Sequence, residues 1–89
     1  MKILKLTIKK KYYNDIKLGK KKIEYREYKS YWIKRLIGKS YDMIEFKNGY
    51  KKDSPRMLVE YHGYVVINGA ETPLGSMKQF AINLGKVIE

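Results

Sequence analysis

Cysteine is absent from the 89 residues, which removes disulfides, thiolate metal sites and cysteine nucleophiles together. A single histidine, His62, leaves little for a zinc site unless several carboxylates help. No Walker loop, dinucleotide fingerprint or metal-ligand spacing is present, so neither a metal nor any other cofactor is expected. Apolar runs are short. The longest, near Val65, falls far below the roughly 20 residues of a membrane-spanning helix. Met1-Lys2 opens directly into a strand pattern, without the apolar stretch and small-residue cleavage site of a signal peptide. No internal repeat and no Pro/Gly/Ser-rich linker divides the chain, which reads as one domain over 1–89. A domain of that size buries one core and carries a cleft, not a site built between two lobes. The expectation is a soluble, cytoplasmic protein with no membrane contact.

Acidic residues are scarce as well, 9 against 20 lysines and arginines, for a net charge of +11. Residues 1–39 hold 14 of the basic side chains and 3 of the acidic ones, whereas residues 40–89 hold 6 of each. The whole excess therefore lies in the first 39 residues. Such a concentration raises a local positive potential and favours polyanionic partners, nucleic acid before others. Nine tyrosines and one tryptophan accompany it, and Tyr12, Tyr13, Tyr25, Tyr28, Tyr31, Trp32 and Tyr50 all lie within two residues of a lysine or arginine. Single-stranded RNA is bound by stacking bases on aromatic faces, each stack worth about 1–3 kcal/mol. Tyr28 and Tyr50 are the better stacking candidates, while Trp32 is expected to pack the core.

Hydropathy alternation marks the strands. Leu4, Leu6 and Ile8 alternate with Lys5, Thr7 and Lys9, as a half-buried strand requires. Lys10 to Leu18 reads as a short helix with Tyr12, Tyr13, Ile16 and Leu18 to one side, closed by Gly19 as a left-handed cap. Lys22 to Tyr28 is the second strand, with Ile23 and Tyr25 inward and Lys22, Glu24 and Arg26 outward. Ser30 can cap a second helix that turns Trp32, Ile33, Leu36 and Ile37 inward before Gly38 stops it. Tyr41 to Lys47 and the Asn48-Gly49 turn follow. Arg56 to Ile67 is long for one strand, and Gly63 in its middle suggests a bulge or barrel corner. Gln79 to Leu84 closes the set. About five strands with two early helices give an α+β domain on a barrel-like sheet. The predicted core is Leu4, Leu6, Ile8, Ile23, Tyr25, Ile44, Phe46 and Ile82.

The segment from Gly19 to Glu27 places a glycine, a lysine, a glutamate and an arginine where the helix hands over to the strand. Glu24 and Arg26 share one strand face. Lys21 is out of phase with them, so only the turn can aim it at the same place. An exposed Glu–Arg pair contributes well under about 1 kcal/mol. In a cleft, however, the lysine and arginine suit phosphates or base carbonyls, and the glutamate suits an exocyclic amine.

The spacing Gly-x-Lys-x-x-Glu-x-Arg, carried by Gly19, Lys21, Glu24 and Arg26, resembles the signature of the ASCH domain. The flanks extend the resemblance: an opening strand with a trailing lysine (Leu4 to Lys9), a tyrosine-containing helix, then Tyr28, Trp32, the Tyr41-to-Phe46 strand and the Asn48-Gly49-Tyr50 turn. This is similar to the small stand-alone ASCH proteins of bacteria and phages and covers nearly the whole chain. The resemblance implies a PUA-like β-barrel with the motif residues lining a cleft for RNA. The expected RNA-binding residues are Lys21, Glu24, Arg26, Tyr28, Lys9, Tyr50 and Lys51, with single-stranded RNA or a nucleotide as partner.

The resemblance also implies an alternative, a small hydrolase acting on RNA or on a modified nucleoside such as 4-acetylcytidine, with Lys21 and Glu24 catalytic. Lys21 falls on the lysine of the deacetylase branch, but Glu24 stands where that branch carries a threonine nucleophile. A carboxylate there could activate water rather than attack. Glu60 and His62 share a face of the long strand, an arrangement more often structural than catalytic.

Overall fold

Alternation sets the first strand as expected: Leu4, Leu6 and Ile8 are buried and Lys5 is exposed. The computed structural model describes residues 1–69 and 71–88. Its elements run β1 (Ile3–Ile8), α1 (Lys10–Lys17), β2 (Ile23–Glu27), α2 (Ser30–Leu36), β3 (Met43–Asn48), β4 (Arg56–Ile67) and β5 (Gln79–Val87). The strands form one sheet in the order β1-β3-β4-β5-β2. β1 lies parallel to β3, and every other pairing is antiparallel. The sheet curls into a half-barrel, and with its two helices the fold is α+β. No helix among the described residues is long and apolar enough to cross a membrane.

Register explains the core. Leu4 and Leu6 stand beside Ile44 and Phe46, which in turn face Val59 and Met57. Phe80 and Ile82 of β5 continue the same inner face. Tyr13 and Ile16 of α1 and Leu36 of α2 close it over. Gly63 adopts φ 81°, and the pairing of β4 with β5 slips between Val59 and Tyr61 and again between Tyr61 and Tyr64. These irregularities let one long strand pair with β3 at its start and turn along β5 at its end, the corner its glycine suggested.

β2 departs from the expected pattern. Ile23 and Tyr25 are only half-buried and lie outside the core, whereas Glu24 is buried at 6 % exposure. Antiparallel pairing sets Glu24 opposite Ile82 and Arg26 opposite Phe80, so the charged face of β2 shares the inner side of β5. Periodicity located the two faces correctly and assigned them the wrong way round. A strand pairing on one side only, at the rim of a half-barrel, can turn charge inward because its inner face opens onto a cleft.

The helix ends differ in smaller ways. Gly19 and Gly38 are left-handed, at φ 78° and 73°, as their caps require. Leu18 and Ile37, expected inward, are 69 % and 42 % exposed, because each falls just past the last helical turn. Ser30 is the first helical residue rather than the cap, and neither helix has a side-chain cap hydrogen bond.

Candidate functional site

β1 and β2 are the two outer strands of the curled sheet, and between them the half-barrel opens. A cleft of about 680 Å³ occupies the gap, reached by the end of β1, by β2 and by Trp32 of α2. Tyr50 of the β3–β4 turn and Pro73 and Leu74 of the β4–β5 loop complete its rim.

Its floor is the motif. The turn after α1 is closed by backbone bonds in which the Lys20 and Lys21 N–H groups both donate to the Asp15 carbonyl. That turn aims Lys21 at Glu24, with Nζ 3.5 Å from Oε1. Arg26 holds the other carboxylate oxygen twice, donating from Nε at 2.9 Å and from Nη2 at 2.6 Å. Nη2 also donates to the Thr7 carbonyl of β1 at 3.2 Å. The three side chains retain only 14 %, 8 % and 17 % exposure for Lys21, Glu24 and Arg26. Two cations thus enclose one anion, leaving a net charge of +1 at the floor.

Aromatic rings fix both cations. The Lys21 ammonium lies 5.1 Å from the Tyr12 ring centre and 5.3 Å from that of Tyr25. The Arg26 guanidinium lies 5.0 Å from the centre of Trp32. Such contacts add roughly 0.5–2 kcal/mol each, more as water is excluded. They leave Arg26 Nη1 without a hydrogen-bond partner among the described residues and Glu24 Oε1 with lone pairs to spare. The floor therefore offers donors and an acceptor side by side.

The loop on the rim has its own anchor. Gln79 is completely buried, and its amide donates to the Gly75 and Met77 carbonyls at 2.9 and 2.8 Å while accepting from Thr72 Oγ1 at 2.6 Å. Thr72 Oγ1 also accepts the Leu74 N–H at 3.1 Å. A buried glutamine with both ends of its amide engaged holds Pro73 and Leu74 against the cleft.

Of the residues expected at the site, Lys21, Glu24, Arg26, Lys9 and Tyr50 line the cleft. Lys51 and Tyr28 do not. The Tyr28 ring stacks on Phe80 with centroids 5.0 Å apart, and Lys78 Nζ sits 4.2 Å from its centre. The reversed face of β2 explains this, since it commits the end of the strand to the core. Trp32 packs against the core as expected yet also forms a wall of the cleft. Thr7, Tyr12, Gln79 and the 72–75 loop were missed. Thr7 acts through its backbone, which no sequence pattern marks. Gln79 had one available signal, a polar residue opening an apolar strand.

Away from the cleft, His62 Nε2 lies 3.3 Å from Glu60 Oε1, and the same oxygen accepts the Lys86 N–H at 2.9 Å. That backbone bond, more than the adjacent His62, holds the Glu60 carboxyl below its ordinary range, against an opposing push from desolvation. The pair staples the irregular β4–β5 pairing, and a side chain at Gly85 would collide with both residues.

Comparison of the chain with family models, with curated proteins and with solved structures finds no match.

Proposed function

We propose that the chain is a small RNA-binding module, ASCH-like in its motif and PUA-like in its barrel, that takes a nucleotide of a single strand into the cleft. One observation carries the reading: Glu24 lies between Lys21 and Arg26 on the floor of an aromatic-walled cleft in a strongly basic chain. A nucleobase is planar and uncharged, with donors and acceptors along one edge. The spare Arg26 and Lys21 donors and the Glu24 Oε1 acceptor match such an edge, and Trp32 and Tyr50 supply stacking faces. Basic residues around the rim supply attraction that is independent of sequence.

Trp32 is the sole tryptophan and lies in the cleft wall, so its emission reports occupancy directly. Titration with single-stranded RNA at low salt is expected to quench it saturably. Unchanged emission, with no RNA retained by the protein, removes the proposal.

Hydrolysis of RNA or of a nucleoside such as 4-acetylcytidine has one observation in its favour, the 3.5 Å approach of Lys21 to Glu24 within the cleft. Against it, Glu24 Oε2 is occupied by two Arg26 donors. That oxygen has no lone pair left to receive a proton from an attacking water. Binding is the better reading.

A further inference from the structure

The cleft shares a wall with a second hollow of about 510 Å³. Tyr12, Lys21, Tyr25 and Pro73 border both, so the two form one continuous groove with a ridge between them. In the ridge the Lys21 ammonium sits 5.1 Å from the Tyr12 ring centre and 5.3 Å from that of Tyr25. Beyond it, the hollow is lined by Lys11, Lys20 and Lys22 with one acidic residue, Asp15.

The two halves differ in how their charge is committed. On the floor of the cleft both cations already hold Glu24. An entering phosphate would meet that carboxylate at close range in a half-dry setting, where like charges repel strongly. Lys11, Lys20 and Lys22 are exposed, and none pairs with a carboxylate among the described residues. The turn's amides cannot replace them, since the Lys20 and Lys21 N–H groups are used by the Asp15 carbonyl. Anion binding there falls to the ammonium groups.

We infer that the groove sorts the parts of one single strand of RNA: a base enters the floor at Glu24 and Arg26, and the adjoining backbone phosphates cross the Tyr12–Tyr25 ridge to Lys11, Lys20 and Lys22. This rests on the RNA-binding reading above and adds to it a path and a second subsite. A lone phosphate has no place on the floor, and the smallest complete ligand spans more than one nucleotide.

The experiment follows Trp32 emission of the intact protein with a nine-nucleotide single-stranded RNA across a salt series, and separately with inorganic phosphate. The native chain is compared with Lys20→Ala/Lys22→Ala and with Lys34→Ala/Lys39→Ala, a control of equal charge loss outside both hollows. In the first variant RNA affinity is expected to fall about tenfold, and the log–log salt slope to shrink by about 1.4, for two contacts at about 0.7 each. The control keeps the native slope, and inorganic phosphate leaves Trp32 unchanged. An unaltered slope in the first variant, an equal loss in the control, or saturable quenching by phosphate overturns the inference and leaves RNA binding standing. No response of the native chain to RNA overturns both.

Discussion

Arg26 donates to the backbone carbonyl of Thr7 at 3.2 Å, and among the described residues this is the one hydrogen bond that joins the two outer strands. A side chain does here what a backbone ladder does elsewhere in the sheet. The same guanidinium holds Glu24 through two further donors and lies close to Trp32. One residue therefore ties the two edges of the gap together and holds the carboxylate on its floor.

Replacing Arg26 tests that relationship. Arg26→Met leaves Glu24 largely buried with Lys21 alone at 3.5 Å. Breaking a fully buried pair costs about 3–5 kcal/mol, and the residual exposure here lowers the expected loss to about 2–4 kcal/mol by urea unfolding. Adding Glu24→Gln in the same chain should recover part of it, because the stranded charge is gone. Purely additive losses would show that the two side chains do not act as a unit.

The binding and hydrolytic readings separate at Lys21 and Glu24. Lys21→Met is expected to weaken RNA by about 1–3 kcal/mol if its ammonium is desolvated in the complex. Glu24→Gln keeps size and reach, so it should change base preference more than affinity. Robust turnover of RNA or 4-acetylcytidine by the native protein, lost in both variants with binding retained, would instead establish an enzyme.

Gln79→Leu should loosen the rim without touching ligand. It strips the Met77 carbonyl of its side-chain donor and leaves the Gly75 carbonyl and the Thr72 hydroxyl only each other, at 3.2 Å, and the Leu74 N–H, a cost of about 1–3 kcal/mol. Amide hydrogen exchange at Leu74 and Gly75 should quicken first. Protection equal to the native chain would mean that the loop is held by something else.

Acid stability should depend on Glu60. Its carboxyl is lowered first by the Lys86 N–H and then by His62, with desolvation opposing. A depressed value stabilises the fold fully above the unfolded value, about 4.3, and that contribution is lost as pH falls through the folded value. Glu60→Gln should flatten the profile of Tm against pH over that window only. At the alkaline end Tyr61 is raised by burial, then by Tyr64 and Tyr41. Its contribution is complete below about pH 10 and is lost as pH rises through the folded value. Tyr61→Phe should extend the stable range upward.

Local pattern carried most of the fold. Strand alternation located all five strands, β4 to the residue, and the glycines at 19, 38 and 63 marked two helix ends and a corner because each adopts a backbone that other residues resist. The inward face of β2 was not legible, since alternation identifies two faces and only the neighbour across the ladder decides which is covered. The same gap runs through the site. Lys21, Glu24 and Arg26 stood out by spacing, but Thr7, Trp32 and Gln79 join them through contacts between segments far apart in the chain. Tyr28 looked available because it follows the motif, and Phe80, more than fifty residues on, claims it.

An incompletely closed barrel has two strands with unpaired backbone groups, and such rows are templates for another chain to pair with. In this protein they are guarded by the cleft itself. Lys5 stands on β1 and Lys22 immediately before β2, and the charged floor lies between them, so an incoming strand would have to bury those charges without partners. The residues proposed to receive a ligand thus also keep neighbouring molecules apart. Variants that neutralise the floor to silence binding risk self-association, and their loss of function needs to be read beside their state of assembly.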